Sequence, residues 1–590
     1  MLQKIFPFLK WIHELKDPKV IRADIIAGLT VALVLIPQSM AYATLAGLPE
    51  VYGLYIAFVP VFIAALWGSS RQLGTGPVAV VSTMTATVLT PVVIKMMEPG
   101  YTDEQFMALF IPTAMFLTLL VGLFQFTLGL FRLGAIVNFL SHPVIVGFTN
   151  AAALFIAMTQ VSKIFGVDMP GDADDHLLSV RIWGVIQNLD LTHEITLLMG
   201  VSTFIILIAM KRYFPRLPGV LVAVVLTTLV SYLIGFDEMG GHVVGDIPEG
   251  LPTFLLPAFS YEAFSSLIFG AVIISLVGFM EAISIAKAMA AKTKDRVDPN
   301  QELIGQGLGN IVGSFFQSYP ASGSFSRSAV NLNAGAKTGF SSVVTATLVL
   351  VTLLFLTPLL HHLPKATLAA VVIMAVLGLI NLKSMLHIWH TNKHDGIAAI
   401  ITFVTTIVYA PKLDHGVIIG TVLAIVLYLY RTMKPRVALL GRYKDGTLRD
   451  LSVHKDLPID NNIIAVRFDG SLYFANVSYF EDAMLKAVAD HPKAKYLLVV
   501  SDAINQLDAS GEEVLRHLVE RLADNNVTVI FSGLKRQILQ VMRATGLNNI
   551  IGEQHIFPDE DMAFDAIYDM LGQSASGKYC PLKRQEIFES

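Results

Sequence analysis

Residues 319–328 read Tyr319-Pro320-Ala321-Ser322-Gly323-Ser324-Phe325-Ser326-Arg327-Ser328, and long apolar runs flank them on both sides. That position puts the stretch at or near membrane depth, yet it holds a proline, a glycine, four serines and an arginine. A continuous membrane helix does not tolerate such a sequence, because its backbone ladder is interrupted and a full charge is set in hydrocarbon. Free N–H groups at a helix start, small side chains and a cation together make an anion site. The plain alternative is an extramembrane loop with one solvated arginine, and the rest of the chain must decide between them.

The chain has 590 residues, of which 54% are hydrophobic and 15% charged, and its mean hydropathy is +0.62. Soluble proteins carry roughly 25% charged residues, so this is a polytopic membrane protein. A net charge of −4 gives no basis for a nucleic-acid partner. The single cysteine, Cys580, excludes an intrachain disulfide and a cysteine-based metal site. Residues 1–24 lack a cleavable small-residue site and read as an interfacial cytoplasmic arm, with Phe8 and Trp11 dipping into the headgroups.

Apolar runs cover residues 25–67 (broken at Leu48-Pro49), 77–93, 105–131, 136–165, 195–212 and 219–235, which makes seven spans. After the Gly-, Pro- and acid-rich loop 236–261 come 262–291, 300–316, 324–336, 340–360, 366–380, 383–410 and 415–433, seven more. The third segment of each set is short and starts in a Gly/Pro/Ser cluster: Gly74-Thr75-Gly76-Pro77-Val78-Ala79 in the first, the opening stretch in the second. Broken segments in corresponding positions point to a midplane site between repeats. An odd number of spans per half inverts one half relative to the other. Lys4, Lys10, Lys16, Lys19 and Arg22 before the first span, and Arg431, Lys434, Arg436 and Arg442 after the last, place both termini in the cytoplasm. Residues 25–435 thus read as an all-α membrane domain of about fourteen spans. In 450–572, strands (463–468, 472–474, 496–500, 527–531) alternate with helices (477–489, 511–524, 535–545, 562–571), the pattern of an α/β layer domain. Residues 573–590 read as a disordered tail.

Several motifs carry a resemblance. Ile36-Pro37-Gln38-Ser39-Met40-Ala41-Tyr42-Ala43, Leu45-Ala46-Gly47-Leu48-Pro49, Tyr52-Gly53-Leu54-Tyr55, Gly68-Ser69-Ser70-Arg71, Gly76-Pro77 and Ser326-Arg327-Ser328 are similar to those of the SulP sulfate-permease type anion transporters, which end in a cytoplasmic STAS domain. The likeness covers nearly the whole chain. Ile56 departs from it, standing where the family has a small residue. The resemblance implies 7+7 inverted repeats divided into a moving core and a gate, usually in a homodimer. It also sets Gln38 and Tyr42 against the substrate, where the alternatives are an interhelix hydrogen bond for Gln38 and plain packing for Tyr42. In the turn Leu507-Asp508-Ala509-Ser510-Gly511, Ala509 replaces the phosphorylatable residue of anti-sigma-antagonist STAS domains, so Asp508 and Ser510 read as a helix N-cap pair.

Two helix N-termini facing one point present about +0.5 charge each, and Arg327 brings the total to roughly +2, a match for a tetrahedral dianion. N–H groups near Val78, Ala79, Phe325 and Ser326, with the Ser326 hydroxyl, would hold its oxygens. Glu281 lies deep in the eighth run, where a carboxylate is a functional candidate, here for proton coupling; the alternative is a structural partner to Arg327 or Lys287. An ionised Glu281 would cancel one unit of site charge, so dianion and proton would favour each other's binding. His361, His362, His387, His390 and His394 read as interfacial, with no carboxylate cluster to make a metal site of them. Asp24, Lys163 and Lys337 are placed at interfaces. No phosphate-gripping loop is present, so no ATP engine, enzymatic activity or cofactor is expected.

The sequence therefore points to a secondary anion transporter in a prokaryotic inner membrane, with proton-coupled sulfate uptake as the leading reading. Bicarbonate or dicarboxylate transport, with sodium coupling as a variant, is the alternative within the class. A uracil-type permease would need paired carboxylates, against which Arg327 argues. A membrane-anchored STAS signalling protein, with a cytoplasmic partner, is the alternative from another class.

Overall fold

The computed structural model describes residues 6–97, 100–135, 141–167, 184, 186–214, 218–248, 250–257, 259–572 and 580–584. The chain divides into two compact units, residues 1–424 and 425–590.

In the first unit, helices α1 (Pro18–Leu45), α2 (Val51–Trp67), α3 (Ala79–Met96), α4 (Asp103–Leu130), α5 (His142–Thr159), α6 (Glu194–Tyr213) and α7 (Gly219–Ile234) follow one another. Then come α8 (Tyr261–Thr293), α9 (Pro299–Ser314), α10 (Phe325–Asn333), α11 (Phe340–Val351), α12 (Lys365–Leu377), α13 (Leu382–Thr391), α14 (Lys393–Val408) and α15 (Leu413–Met433), the last running into the second unit. The expected order of spans is present, with one correction. The run 383–410 is two helices, because Asn392 ends α13 and its side chain caps α14 by accepting from His394 N at 2.9 Å. Among the described residues, nine helical stretches are long and apolar enough to cross a membrane. Large apolar side chains such as Leu198, Ile205, Leu233 and Val422 stand exposed, as on a surface solvated by lipid rather than water.

Contact between helices in lipid depends on close approach of small residues. Helices α4 and α9 show it: a Cβ on Gly122 would stand 2.6 Å from Ile311 N, and one on Gly307 would stand 2.5 Å from Phe126 N. A Cβ on Gly53 would meet Ser39 O at 2.1 Å, locking α2 against α1. The two broken segments meet as strands. Strand β1 (Gly74–Gly76) pairs antiparallel with β2 (Ser322–Ser324) in the register Gly74↔Ser324, Thr75↔Gly323, Gly76↔Ser322. Pairing satisfies backbone groups that no helix could satisfy at that depth.

Three sequence expectations for this unit change. The arm before α1 is not free to enter headgroups: Trp11 is buried, in edge contact with Phe8, and Glu14 pairs with Arg71 at 3.0 Å. The first helix begins at Pro18, not after residue 24. Asp24 is fully buried rather than interfacial, its carboxylate accepting from Lys337 N (2.7 Å), Thr338 N (3.1 Å) and Thr338 Oγ1 (2.5 Å). A buried charge survives when hydrogen bonds replace its water, and here three do.

In the second unit a six-stranded sheet has the order β4-β3-β5-β6-β7-β8. Its strands are β3 (Val437–Arg442), β4 (Leu448–Asp450), β5 (Ile463–Phe468), β6 (Tyr496–Val500), β7 (Thr528–Ser532) and β8 (Ile556–Phe557). Helices α16 (Val477–Asp490), α17 (Ala509–Ala523), α18 (Arg536–Thr545) and α19 (Glu560–Met570) cover it. The sheet begins at Val437, ahead of the expected boundary at 450, because β3 is an inner strand paired with β5. Residues 472–474 form no strand, only a bridge from Leu472 to Leu507. Asp508 caps α17 through Gly511 N at 2.8 Å, whereas Ser510 lies inside the helix. Most of the tail expected to be disordered lies outside the described residues. Within it, residues 580–584 are held: Leu582 is buried, its carbonyl accepts from the buried Arg442 Nε at 2.8 Å, and Lys583 pairs with Asp565.

Candidate functional site

Arg327 is the third residue of α10 and has no solvent exposure. Its side chain crosses the two-stranded ribbon: a Cβ on Gly74 would stand 2.9 Å from Arg327 Cβ, and one on Gly76 would stand 3.4 Å from Nη2. Gly76 has φ +140°, a conformation that glycine adopts freely. The sequence reason for the close approach is therefore the Gly-Thr-Gly of β1. Arg327 Nη1 donates to Gln38 Oε1 at 3.3 Å, and Gln38 Nε2 donates to Tyr42 OH at 2.8 Å. Nε and Nη2 have no hydrogen-bond partner among the described residues.

The structure brings Gln38, Tyr42, Gly76 and Arg327 into one buried group and sets Val78 and Ala79 at the start of α3 directly beyond β1. Among the described residues, neither α3 nor α10 has a side-chain cap on its first N–H groups, so those donors remain for another acceptor. Phe325 and Ser326 are exposed, and Ser326 Oγ lies 3.2 Å from Ser324 Oγ. The site has a buried side lined by Arg327 and an accessible side at the first turn of α10. Gln38 donates through its amide to Tyr42 OH and accepts from Arg327 through its oxygen, which helps to position the guanidinium.

Glu281 makes no direct contact with the arginine but lies close enough for the two charges to act on each other. It lies on α8 one turn beyond Gly278, whose carbonyl accepts from Ser322 Oγ at 2.7 Å. It lines a small cavity with Val144, Ile145, Phe148, Thr149 and Val417, residues of α5 and α15. No ion pair joins it to Arg327 among the described residues.

Sequence reasoning missed the residues that hold β2 in place. Asn310 brackets Ala321, accepting from its N–H at 2.8 Å and donating to its carbonyl at 3.2 Å, while its amide also reaches Gln125 at 2.9 Å. Ser328 Oγ accepts from Gly74 N at 2.8 Å and donates to Ser324 O at 2.6 Å, tying the two strands. Buried amides at Gln125 and Asn310 within apolar helices were the available signal.

A multi-pass helical domain with two broken segments joined at a buried cation, followed by an α/β domain, defines a membrane transport protein with a soluble appendage. Residues 21–402 match the Sulfate permease family and residues 454–563 the STAS domain. The chain is 34% identical over 575 residues to the probable sulfate transporter 4.2 of Arabidopsis thaliana, covering 94% of this chain and 82% of that protein. To the high affinity sulfate transporter 2 of Stylosanthes hamata it is 32% identical, with 94% and 85% covered. Among solved structures it resembles the murine Solute Carrier 26 family member A9 anion transporter in the inward-facing state, with TM-score 0.87, 24% identity, and 97% and 94% of the two chains covered. The transmembrane domain of a cyanobacterium bicarbonate transporter, BicA, aligns with TM-score 0.57 and 23% identity over 69% of this chain and 98% of that one. The chain belongs to the sulfate permease family.

Proposed function

We propose that this chain, an anion transporter by family, takes up sulfate together with a proton. It works by alternating access of an elevator kind in a prokaryotic inner membrane, as a homodimer with both termini cytoplasmic. The observation that carries the reading is Arg327, a fully buried guanidinium with two nitrogens lacking any protein partner among the described residues. Burying an arginine without completing its hydrogen bonds costs several kcal/mol, and an anion is the acceptor that offsets it. The uncapped starts of α3 and α10 add donors around the same ribbon. A site charge of roughly +2 suits a dianion with tetrahedrally arranged oxygens, and the curated relatives reported above bear the name sulfate transporter.

Glu281 is the proton-coupling group in this reading. Its cavity is walled by α8 on one side and by α5 and α15 on the other, so its charge reports to any sliding of those helices past one another. Protonation removes a negative charge that competes with the dianion for the field of Arg327, and binding of either favours the other.

Labelled sulfate and bicarbonate uptake into proteoliposomes, with and without an inward proton gradient, tests the proposal. Sulfate uptake should accelerate with the gradient in the wild type, and Glu281→Gln should retain sulfate binding while losing the acceleration. Preference for bicarbonate would replace the substrate; an unchanged gradient response in Glu281→Gln would remove the coupling role.

A further inference from the structure

We propose that His361, His362 and Asp237 form a binding site for a divalent transition-metal ion of the zinc type. The sequence reading set the paired histidines aside for want of a neighbouring carboxylate; the fold supplies two. One ring nitrogen from each histidine and a carboxylate oxygen of Asp237 lie within 4.8 Å of one another. His362 Nδ1 is 4.0 Å from Asp237 Oδ2, too far for a hydrogen bond, and this buried nitrogen has no hydrogen-bond partner among the described residues. In a tetrahedral zinc site with bonds of about 2.0–2.1 Å, neighbouring ligand atoms are roughly 3.4 Å apart. The present spacing thus needs only a small contraction around an ion. Asp246 Oδ1 lies 2.8 Å from His361 Nδ1, the carboxylate–histidine arrangement that at metal sites fixes which ring nitrogen is the ligand. Two imidazoles with a carboxylate select zinc, copper or nickel over magnesium and calcium.

The ligands come from two segments already held together. Val244 N donates to Leu363 O at 2.9 Å, Gly245 N to His361 O at 3.0 Å, and Lys365 N to His242 O at 2.9 Å. Lys365 also pairs with Glu50, just past the C-terminal end of α1, whereas Glu14 and Arg71 pair near its start. The 28 residues of α1 separate those ends by about 40 Å, so the cluster lies at the membrane face opposite the N-terminal arm. A bound ion would cross-link the turn after α7 to the entry of α12.

The test is zinc titration of the full-length protein, purified without a histidine tag and stripped with a chelator, read by competition with a zinc indicator and by thermal unfolding. The wild type should bind one saturable equivalent, unfold at a higher temperature with zinc, and show no competition from magnesium. His362→Gln and Asp237→Asn should each weaken binding at least about tenfold and lose the thermal shift. Asp246→Asn alters a fully exposed carboxylate, so folding does not confound it; it should weaken zinc by about tenfold. Absence of a saturable equivalent in the wild type, or unchanged affinity in all three variants, overturns the site. Transport is not part of the readout, so the result stands apart from the sulfate reading.

Discussion

Arg327 holds its charge where protein has replaced solvent, and its partners account for only part of what a guanidinium can donate. Gln38 takes one hydrogen bond, Nε and Nη2 have no partner among the described residues, and Nη2 lies beside Gly76. A lysine keeps the charge but not the planar fork that fits two oxyanion oxygens at once. Arg327→Lys should therefore weaken sulfate binding at least about tenfold, and Arg327→Gln should abolish it. Calorimetric titration of sulfate into purified protein reads both, and wild-type affinity in Arg327→Lys would show that the fork is not used. The candidate residue was legible because an arginine inside an apolar region is conspicuous. Its support by Gln38 was not, since those residues lie 289 positions apart.

At the scale of elements, helix existence followed from apolar runs, while helix packing followed from glycines whose purpose the runs do not reveal. Gly122 on α4 and Gly307 on α9 let backbone approach backbone. Gly307→Val would drive two extra methyl groups and a Cβ into Phe126, and overpacking of this kind costs about 1–3 kcal/mol or more. The thermal transition of the purified variant should fall clearly below that of the wild type; an unchanged transition would mean that the helices part without penalty. The broken segments were visible as Gly/Pro/Ser clusters. That they pair as strands, in a register placing Gly76 opposite Ser322, depends on two segments almost 250 residues apart meeting, which neither encodes alone.

For the whole molecule, the sheet of the second unit starts at Val437, and Lys583 and Arg584 pair with Asp565 and Asp561 of α19. Residues 437–584 should fold alone with a single cooperative transition, measured by circular dichroism. A chain ending at Arg436 should keep sulfate affinity within about threefold if binding belongs to the first unit alone; complete loss of binding there would favour a signalling role for the second unit. By itself the sequence determined that this is a multi-pass membrane protein with an α/β appendage and two interrupted segments, since hydropathy, periodicity and turn chemistry act over a few residues. Only the tertiary structure decided that Asp24 is a buried anchor, that Trp11 is sheltered, that Gln38 steadies Arg327 and that two acids stand beside His361 and His362. Each of those outcomes is a contact between distant residues, and such contacts are fixed by which helices pack together, not by the residues next door.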